Sequence, residues 1–203
     1  MKAFLSSLDM SFSMFSIIPM PRVEWKSENM KYALLCLPVI GLVIGLLLWG
    51  WGALCLHFSF GPLVTGAGFT LIPVLISGGI HVDGFLDTVD ALSSHGDTEK
   101  KRAILKDSHA GAFAIIYACV YFLAFFAISA ELPIYGWFVF LPGLVQIFSR
   151  CIAVLASIIY PSAAKQGMLY AFTDPLARTS LVVSIIETVV TAALMILCCW
   201  QCG

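Results

Sequence analysis

Charged residues are scarce in this chain: they make up 11% of its 203 residues, against about a quarter in an average soluble domain. Apolar residues make up 60%. A soluble core of this size cannot hide so much apolar surface, because much of any folded surface must face water. The composition therefore excludes an ordinary soluble domain. The net charge of −1 also excludes a strongly basic nucleic-acid-binding protein, so no nucleic-acid partner is expected.

The N-terminus lacks the pattern of a signal peptide, and the cysteines lack a second CxxC pair. The first segment ends in PMPR at residues 19–22, where a signal peptide would have a small-residue cleavage site. Its large apolar side chains recur at helical spacing, which predicts a short interfacial helix; the alternative is a helix packed on the rest of the protein. These side chains are Phe4, Leu5, Leu8, Phe12 and Phe15.

Long apolar stretches dominate the rest of the chain. A membrane helix needs about 20 mainly apolar residues, and five stretches qualify. This pattern predicts an all-α fold: a polytopic membrane helical bundle forming one integral membrane domain over residues 1–203, with lipid as its surroundings. The predicted spans cover residues 33–56, 62–80, 111–130, 135–159 and 180–200.

Basic residues are missing from one side of this layout. With alternating spans, every lysine and arginine except Arg150 falls on the same side. The positive-inside rule then places the N-terminus and the two large loops, residues 81–110 and 160–179, in the cytoplasm.

An acidic stretch, GGIHVDGFLDTVD, occupies residues 78–90 at the end of the second predicted span. If it is helical, Asp83, Asp87 and Asp90 share one face, because they stand at positions i, i+4 and i+7. Their carboxylates suit a hard cation such as Mg²⁺. The alternative is an exposed polar face in a cytoplasmic loop. His81 is a candidate base, ligand or hydrogen-bond partner, and it lies off the aspartate face if the helix begins before it.

Two further polar groups are candidates for binding phosphate. Lys106 offers a point charge, next to a further carboxylate, Asp107, and a candidate proton carrier, His109. Arg150 lies inside an apolar run, where an arginine usually faces a polar interior, and its fork of donors suits phosphate. The alternatives are an interfacial histidine with a local partner and an arginine that reaches to the membrane surface.

The acidic stretch resembles the GGxHxDGxxDxxDG signature of cobalamin synthase, the adenosylcobinamide-GDP ribazoletransferase family. Other segments resemble family elements in the same order, so the likeness covers essentially the whole chain. They are IPMPR at residues 18–22, LPVIGLVIG at 37–45, KDSHAG at 106–111, SR at 149–150 and KQG at 165–167.

The resemblance implies a membrane enzyme that joins α-ribazole, or its 5′-phosphate, to adenosylcobinamide-GDP and releases GMP. It implies Mg²⁺ as the cofactor and the cytoplasmic (inner) membrane of a bacterium or archaeon as the location. Five spans make a thin bundle around so large a substrate, which is compatible with a homo-oligomer. The implied residues are His81, Asp83 and Asp87 for catalysis, Lys106, Ser108 and Arg150 for substrate, and Asp83, Asp87, Asp90 and Asp107 for the metal.

The chain also departs from the family pattern. Ala91 replaces the glycine after the last aspartate, and Lys106 and His109 replace arginines. No GGxTGD element occurs before Gly203. This lack motivates an alternative: a shortened, catalytically impaired binding or assembly component of the same membrane pathway. A third hypothesis, a cation carrier, predicts more charged residues within the spans than Arg150 and Glu187.

Overall fold

The computed structural model describes residues 2–21, 30, 32–107, 109–160 and 178–202. The described residues form helices joined by short turns, which confirms the predicted all-α class. Short 3₁₀ helices at Leu34–Cys36 and Gly136–Phe140 precede two of the α-helices. The α-helices in chain order are α1 (Lys2–Phe15), α2 (Leu37–His57), α3 (Pro62–Ser77), α4 (Ile80–Ser93), α5 (Thr98–Ile104), α6 (Ala112–Glu131), α7 (Leu141–Ile159) and α8 (Arg178–Cys202).

The apolar helices confirm a multi-pass membrane protein. Among the described residues, four helices are long and apolar enough to cross a membrane by themselves. A fifth span is present if α3 and α4, which meet at a 90° bend, are counted together. The four are Leu34–His57, Ala112–Glu131, Gly136–Ile159 and Ser180–Gln201.

The chain divides into two compact units. The first unit contains Met1–Ser59 and Pro133–Gly203, and the second contains Phe60–Leu132. The prediction of a single membrane domain stays a prediction.

In the first unit, α2 and α7 pack closely through glycines. A Cβ atom added to Gly45 would lie 3.0 Å from the Cα of Gly143. A Cβ on Gly41 would lie 2.7 Å from the backbone oxygen of Gln146. Small residues allow membrane helices to approach in this way, so van der Waals contact replaces the hydrophobic driving force that lipid does not supply.

The N-terminal helix α1 also belongs to the first unit. Met10 is buried against Ala33 and Leu34, while Phe4 and Leu5 are exposed. The predicted helix is thus present and packs on the protein through one face. Its placement at the membrane interface stays a prediction.

In the second unit, α3 packs against α6 at another glycine contact. A Cβ on Gly66 would lie 2.7 Å from the backbone nitrogen of Ala130. The ring of Phe85 on α4 lies 5.8 Å from that of Tyr121 on α6. These contacts hold α3 and α4 on the same partner helix.

The bend between α3 and α4 is formed by two glycines. Gly78 and Gly79 have φ angles of +64° and +77°, in the left-handed region that other residues adopt at a cost. The Gly78 and Gly79 amides donate to the carbonyl oxygens of Leu75 and Val74, which is the Schellman pattern of a helix end. The predicted second span, 62–80, therefore ends at Ser77, and the acidic stretch forms a helix of its own.

Candidate metal and phosphate site

The acidic stretch is helical, as the spacing of its aspartates requires. Asp83, Asp87 and Asp90 all lie in α4 and share one face of it. The side chain of Asp83 is exposed and that of Asp87 is half-buried. Within the described part of the chain, neither of these two carboxylates has a hydrogen-bond or ion-pair partner. The two side chains therefore present free carboxylate oxygens one helical turn apart.

The aspartate face carries negative charge that its own residues do not neutralise. Partial burial and then repulsion from Asp83 and Asp90 raise the pKa of the Asp87 carboxyl above its ordinary value. A cation placed among these carboxylates would relieve that repulsion. This electrostatic pattern fits a cation site, because hard cations are held by carboxylate oxygens.

Asp90 differs from the other two aspartates because both of its carboxylate oxygens accept hydrogen bonds. The backbone N–H of Gly111 donates to Oδ2 at 2.6 Å, and that of Ala114 donates to Oδ1 at 2.8 Å. Both amides belong to the start of α6, where a helix leaves its first N–H groups without partners inside the helix. Asp90 thus caps a helix other than its own.

His81 lies in the first turn of α4, since that helix begins at Ile80. At roughly 100° per residue, its side chain stands roughly 180° around the helix from that of Asp90. The structure therefore separates the exposed His81 from the aspartate face. Its predicted catalytic role stays a prediction.

The second polar cluster lies in the segment between α5 and α6. The backbone N–H and Nδ1 of His109 lie 3.0 and 2.7 Å from Oδ1 of Asp107. These contacts with His109 lower the pKa of the exposed Asp107 carboxyl. The side chain of Lys106 is exposed, and the predicted substrate residue Ser108 lies outside the described residues.

Asp107 is not brought into one ligand set with the aspartates of α4. In the described ranges, no three His, Cys, Asp or Glu side chains come together closely enough to hold a metal ion. The predicted metal ligands, Asp83, Asp87, Asp90 and Asp107, stay predictions.

Arg150, predicted to bind substrate, is buried within the first unit at 5% exposure. Its Nη1 donates to the backbone oxygen of Gln146 at 2.9 Å and to the Oε1 of the same residue at 2.8 Å. Nη1 also donates to Oγ of Ser149 at 3.2 Å. Part of its donor fork is thus already bound to its own helix.

Three residues that contact predicted site residues were not themselves predicted as contacts: Gln146, Gly111 and Ala114. Gln146 stands one turn before Arg150, so the i, i+4 spacing was an available signal for the pair. Gly111 precedes the apolar run of α6, where a helix start was readable. No local pattern indicated that this helix start would donate hydrogen bonds to Asp90, which lies far away in the sequence.

The comparisons with known proteins agree on one family. The family profile described as cobalamin-5-phosphate synthase matches residues 7–202. A protein of Lachnoclostridium phytofermentans named adenosylcobinamide-GDP ribazoletransferase is 37% identical over 201 residues, which are 96% of this chain and 74% of the relative. No solved structure shows a significant match.

Two further relatives with the same name share a shorter region. The protein of Clostridium botulinum strain Eklund 17B is 40% identical over 133 residues, which are 65% of this chain and 53% of the relative. That of Clostridium perfringens strain SM101 is 40% identical over 128 residues, which are 63% of this chain and 51% of the relative. The matched regions thus span about half the length of these two relatives.

These matches confirm the predicted family and the predicted class, a transferase of cobalamin biosynthesis. They favour this class over the alternative of an impaired binding component, because the relatives bear the name of the enzyme. By the match over residues 7–202 and by its 37% identity to a named relative, the chain belongs to the cobalamin-5-phosphate synthase family.

Proposed function

We propose that this protein joins adenosylcobinamide-GDP to α-ribazole, or to α-ribazole 5′-phosphate, with release of GMP. The family match supports the reaction class. The structural observation that carries the proposal is the pair of carboxylates, Asp83 and Asp87, that lack partners in the described chain and share one face of α4. Such a pair suits chemistry on a diphosphate, where negative charge must be neutralised by a cation.

Asp83 and Asp87 are the residues that would hold Mg²⁺. Mg²⁺ usually takes only one or two protein carboxylates and completes its shell with water and substrate phosphate oxygens. A site with two carboxylates therefore suits Mg²⁺ better than a cation that needs an all-protein cage. When bound, Mg²⁺ supplies neutralisation of the negative charge on the diphosphate. Asp90 and Asp107 were also predicted from the sequence as ligands, but a site with two carboxylates does not require them.

The bond changes follow from the substrates. A hydroxyl oxygen of α-ribazole forms a bond to the phosphorus of the cobinamide phosphate, and the bond from that phosphorus to the bridging oxygen breaks. GMP leaves with that oxygen, and the hydroxyl proton passes to a base. We assign the base to a carboxylate of the aspartate face, because His81 stands on the opposite side of α4.

Lys106 is the residue that binds phosphate in this proposal. Its ammonium group is exposed in the segment that leads into α6, and it offers a mobile point charge to a phosphate. Arg150 is the second predicted phosphate ligand, although its Nη1 already donates to Gln146.

The proposal also covers the orientation of the protein in the membrane and its oligomeric state. The excess of Lys and Arg on one side supports a cytoplasmic N-terminus and a cytoplasmic aspartate helix, where a nucleotide-linked donor is available. A homo-oligomer in the bilayer would enlarge the thin bundle of spans. Reporter fusions at Ser59 and Ser94 test the sidedness, with opposite signals expected from the two positions.

The test of the reaction is GMP release by the purified protein from adenosylcobinamide-GDP and α-ribazole, measured against Mg²⁺ concentration. Asp87→Asn is expected to lower the rate on the order of 10²–10³-fold, because it removes an anionic ligand of the cation. His81→Ala is expected to retain most of the rate.

The matched control is Asp97→Asn, an exposed aspartate of the same unit that caps α5 by accepting from the Lys100 amide at 2.9 Å. It is expected to keep the wild-type rate. Undiminished GMP release by both Asp83→Asn and Asp87→Asn would contradict the metal assignment. Failure of the folded wild-type protein to release GMP at any Mg²⁺ concentration would contradict the reaction itself.

A further inference from the structure

The carboxylate of Asp90 joins α4 to the start of α6. It accepts one backbone N–H from Gly111 and one from Ala114, through different oxygens. An anion at this position is favoured twice, because it satisfies amides that the helix leaves open and lies at the positive end of the helix dipole. The negative charge of Asp90 is therefore already stabilised by protein groups, in contrast to the charges of Asp83 and Asp87.

Gly111 is small because Asp90 lies against it. A Cβ atom at position 111 would lie 2.8 Å from both carboxylate oxygens of Asp90, which is closer than ordinary contact. The backbone of Gly111 is extended, with φ of −80° and ψ of 173°, so any residue could adopt it. The requirement at this position is thus for space beside the carboxylate and not for a special backbone conformation.

The same contact fixes one end of the segment that carries Lys106. That segment ends at Gly111, where α6 begins, and so its end is fixed to the helix that bears Asp83 and Asp87. Phe85 and Tyr121 hold the same two helices together farther along. Because the two helices are in contact at two places along their length, α4 cannot turn freely about its axis relative to α6.

We propose that Asp90 is a positioning residue and not a metal ligand. It holds the start of α6, and with it the end of the Lys106 segment, in a fixed place relative to Asp83 and Asp87. This inference rests on the proposed function only in its expected effect on kcat. Cation binding by Asp83 and Asp87 without Asp90 can be measured whether or not the protein releases GMP.

The experiment compares Asp90→Asn and Gly111→Ala with Asp87→Asn, and uses Asp97→Asn as a control that loses a helix cap elsewhere in the same unit. Gly111→Ala displaces Asp90 while leaving every carboxylate in the chain. Three quantities are measured for each variant: kcat for GMP release, the Mg²⁺ concentration that gives half-maximal rate, and Mn²⁺ affinity followed by electron paramagnetic resonance.

Asp90→Asn and Gly111→Ala are expected to lower kcat at least about tenfold, while the half-maximal Mg²⁺ concentration and the Mn²⁺ affinity stay within about twofold of wild type. Asp87→Asn is expected to weaken Mn²⁺ binding at least about tenfold. Asp97→Asn should change none of the three quantities. A merely structural role would not separate kcat from metal affinity in this way.

The inference is overturned if Asp90→Asn weakens Mn²⁺ binding as much as Asp87→Asn does while Gly111→Ala does not. It is also overturned if both Asp90→Asn and Gly111→Ala retain the wild-type kcat. A wild-type protein that binds Mn²⁺ but releases no GMP would count against the proposed function alone, because the comparison of Mn²⁺ affinities still decides the role of Asp90.

Discussion

One charged arrangement in each unit differs from the other in whether it has partners within the protein. In the second unit, the carboxylates of Asp83 and Asp87 share a helix face and have no partner in the described chain. In the first unit, the guanidinium of Arg150 is buried and donates to Gln146 on the same helix.

The difference separates a group that awaits a ligand from a group that stabilises a fold. A buried charge that is bound to protein atoms contributes to stability, and its removal acts first on folding. An accessible charge without partners contributes little to stability, so its removal acts on binding or rate. Substitutions whose effects on both stability and activity are measured can therefore test whether the two arrangements differ in this way.

The largest effect on stability is expected for Gln146→Leu in the first unit. The substitution removes the Oε1 acceptor of Arg150 and leaves less compensation for a buried charge, so a loss of ~3 kcal/mol is expected. The measurement is unfolding of the purified protein in detergent. Asp83→Asn serves as the counterpart in the second unit and is expected to cost less than ~1 kcal/mol.

Arg150→Lys decides whether Arg150 also holds phosphate. If its role is structural, the variant loses stability and the KM for adenosylcobinamide-GDP is unchanged. A rise in KM at unchanged stability would assign Arg150 to the substrate and remove the contrast between the two units.

A smaller effect is expected where helices touch through glycine. Gly66→Ala in the second unit and Gly143→Ala in the first each place a Cβ within 3 Å of backbone atoms, and a loss of ~2 kcal/mol is expected for both. Gly50→Ala is the control, because nothing lies within 4 Å of its added Cβ. Equal losses would show that the units differ in their charges and not in their packing; a Gly66→Ala variant as stable as Gly50→Ala would refute this.

Gly79→Ala is expected to cost ~1 kcal/mol, because alanine must adopt a positive φ while its Cβ meets no neighbour. The cost is strain and not collision. The reaction rate is expected to fall more than the stability suggests, because the bend sets the direction of the aspartate helix. Unfolding and GMP release measured on the same sample test both statements, and an unchanged rate would separate the bend from the site.

The smallest effect on stability is a gain. Gly84→Ala lies inside α4 with nothing within 4 Å of its Cβ, so a stabilisation of ~0.5 kcal/mol is expected. If substrate approaches the backbone between Asp83 and Asp87, the same variant loses activity while it gains stability. A fully active Gly84→Ala variant would exclude a close approach of substrate at this point.

The spans could be predicted from the sequence because each is an uninterrupted apolar run longer than the membrane requires. The first and third predicted spans agree with α2 and α6 to within a few residues. The second predicted span also agrees with α3 to within a few residues, but the bend that follows it was not predicted, because the sequence around Gly78 and Gly79 remains apolar up to Ile80. A hydropathy profile does not indicate a change in the direction of the chain, whereas a pair of adjacent glycines does.

The site was predictable in part, because one of its features follows from the local sequence. The shared face of Asp83, Asp87 and Asp90 follows from helical periodicity alone. Periodicity does not predict that Asp90 differs from the other two in its hydrogen bonds, since the partners of Asp90 stand more than 20 residues later in the chain. Likewise, the burial of Arg150 depends on the approach of α2 at Gly41, which no local pattern encodes.

The bend at Gly78 and Gly79 also has a consequence for the lipid around the protein. At about 1.5 Å per residue, the 16 residues of α3 are about 24 Å long, against about 30 Å for the hydrocarbon core of a bilayer. Because the chain turns by 90° there, α4 cannot lengthen the span along the same axis. Such a hydrophobic mismatch is met by local thinning of the bilayer or by drawing flanking residues inwards. If α3 crosses the bilayer alone, the aspartate helix begins within the headgroup layer, and headgroup charge and bilayer thickness are expected to influence the proposed reaction.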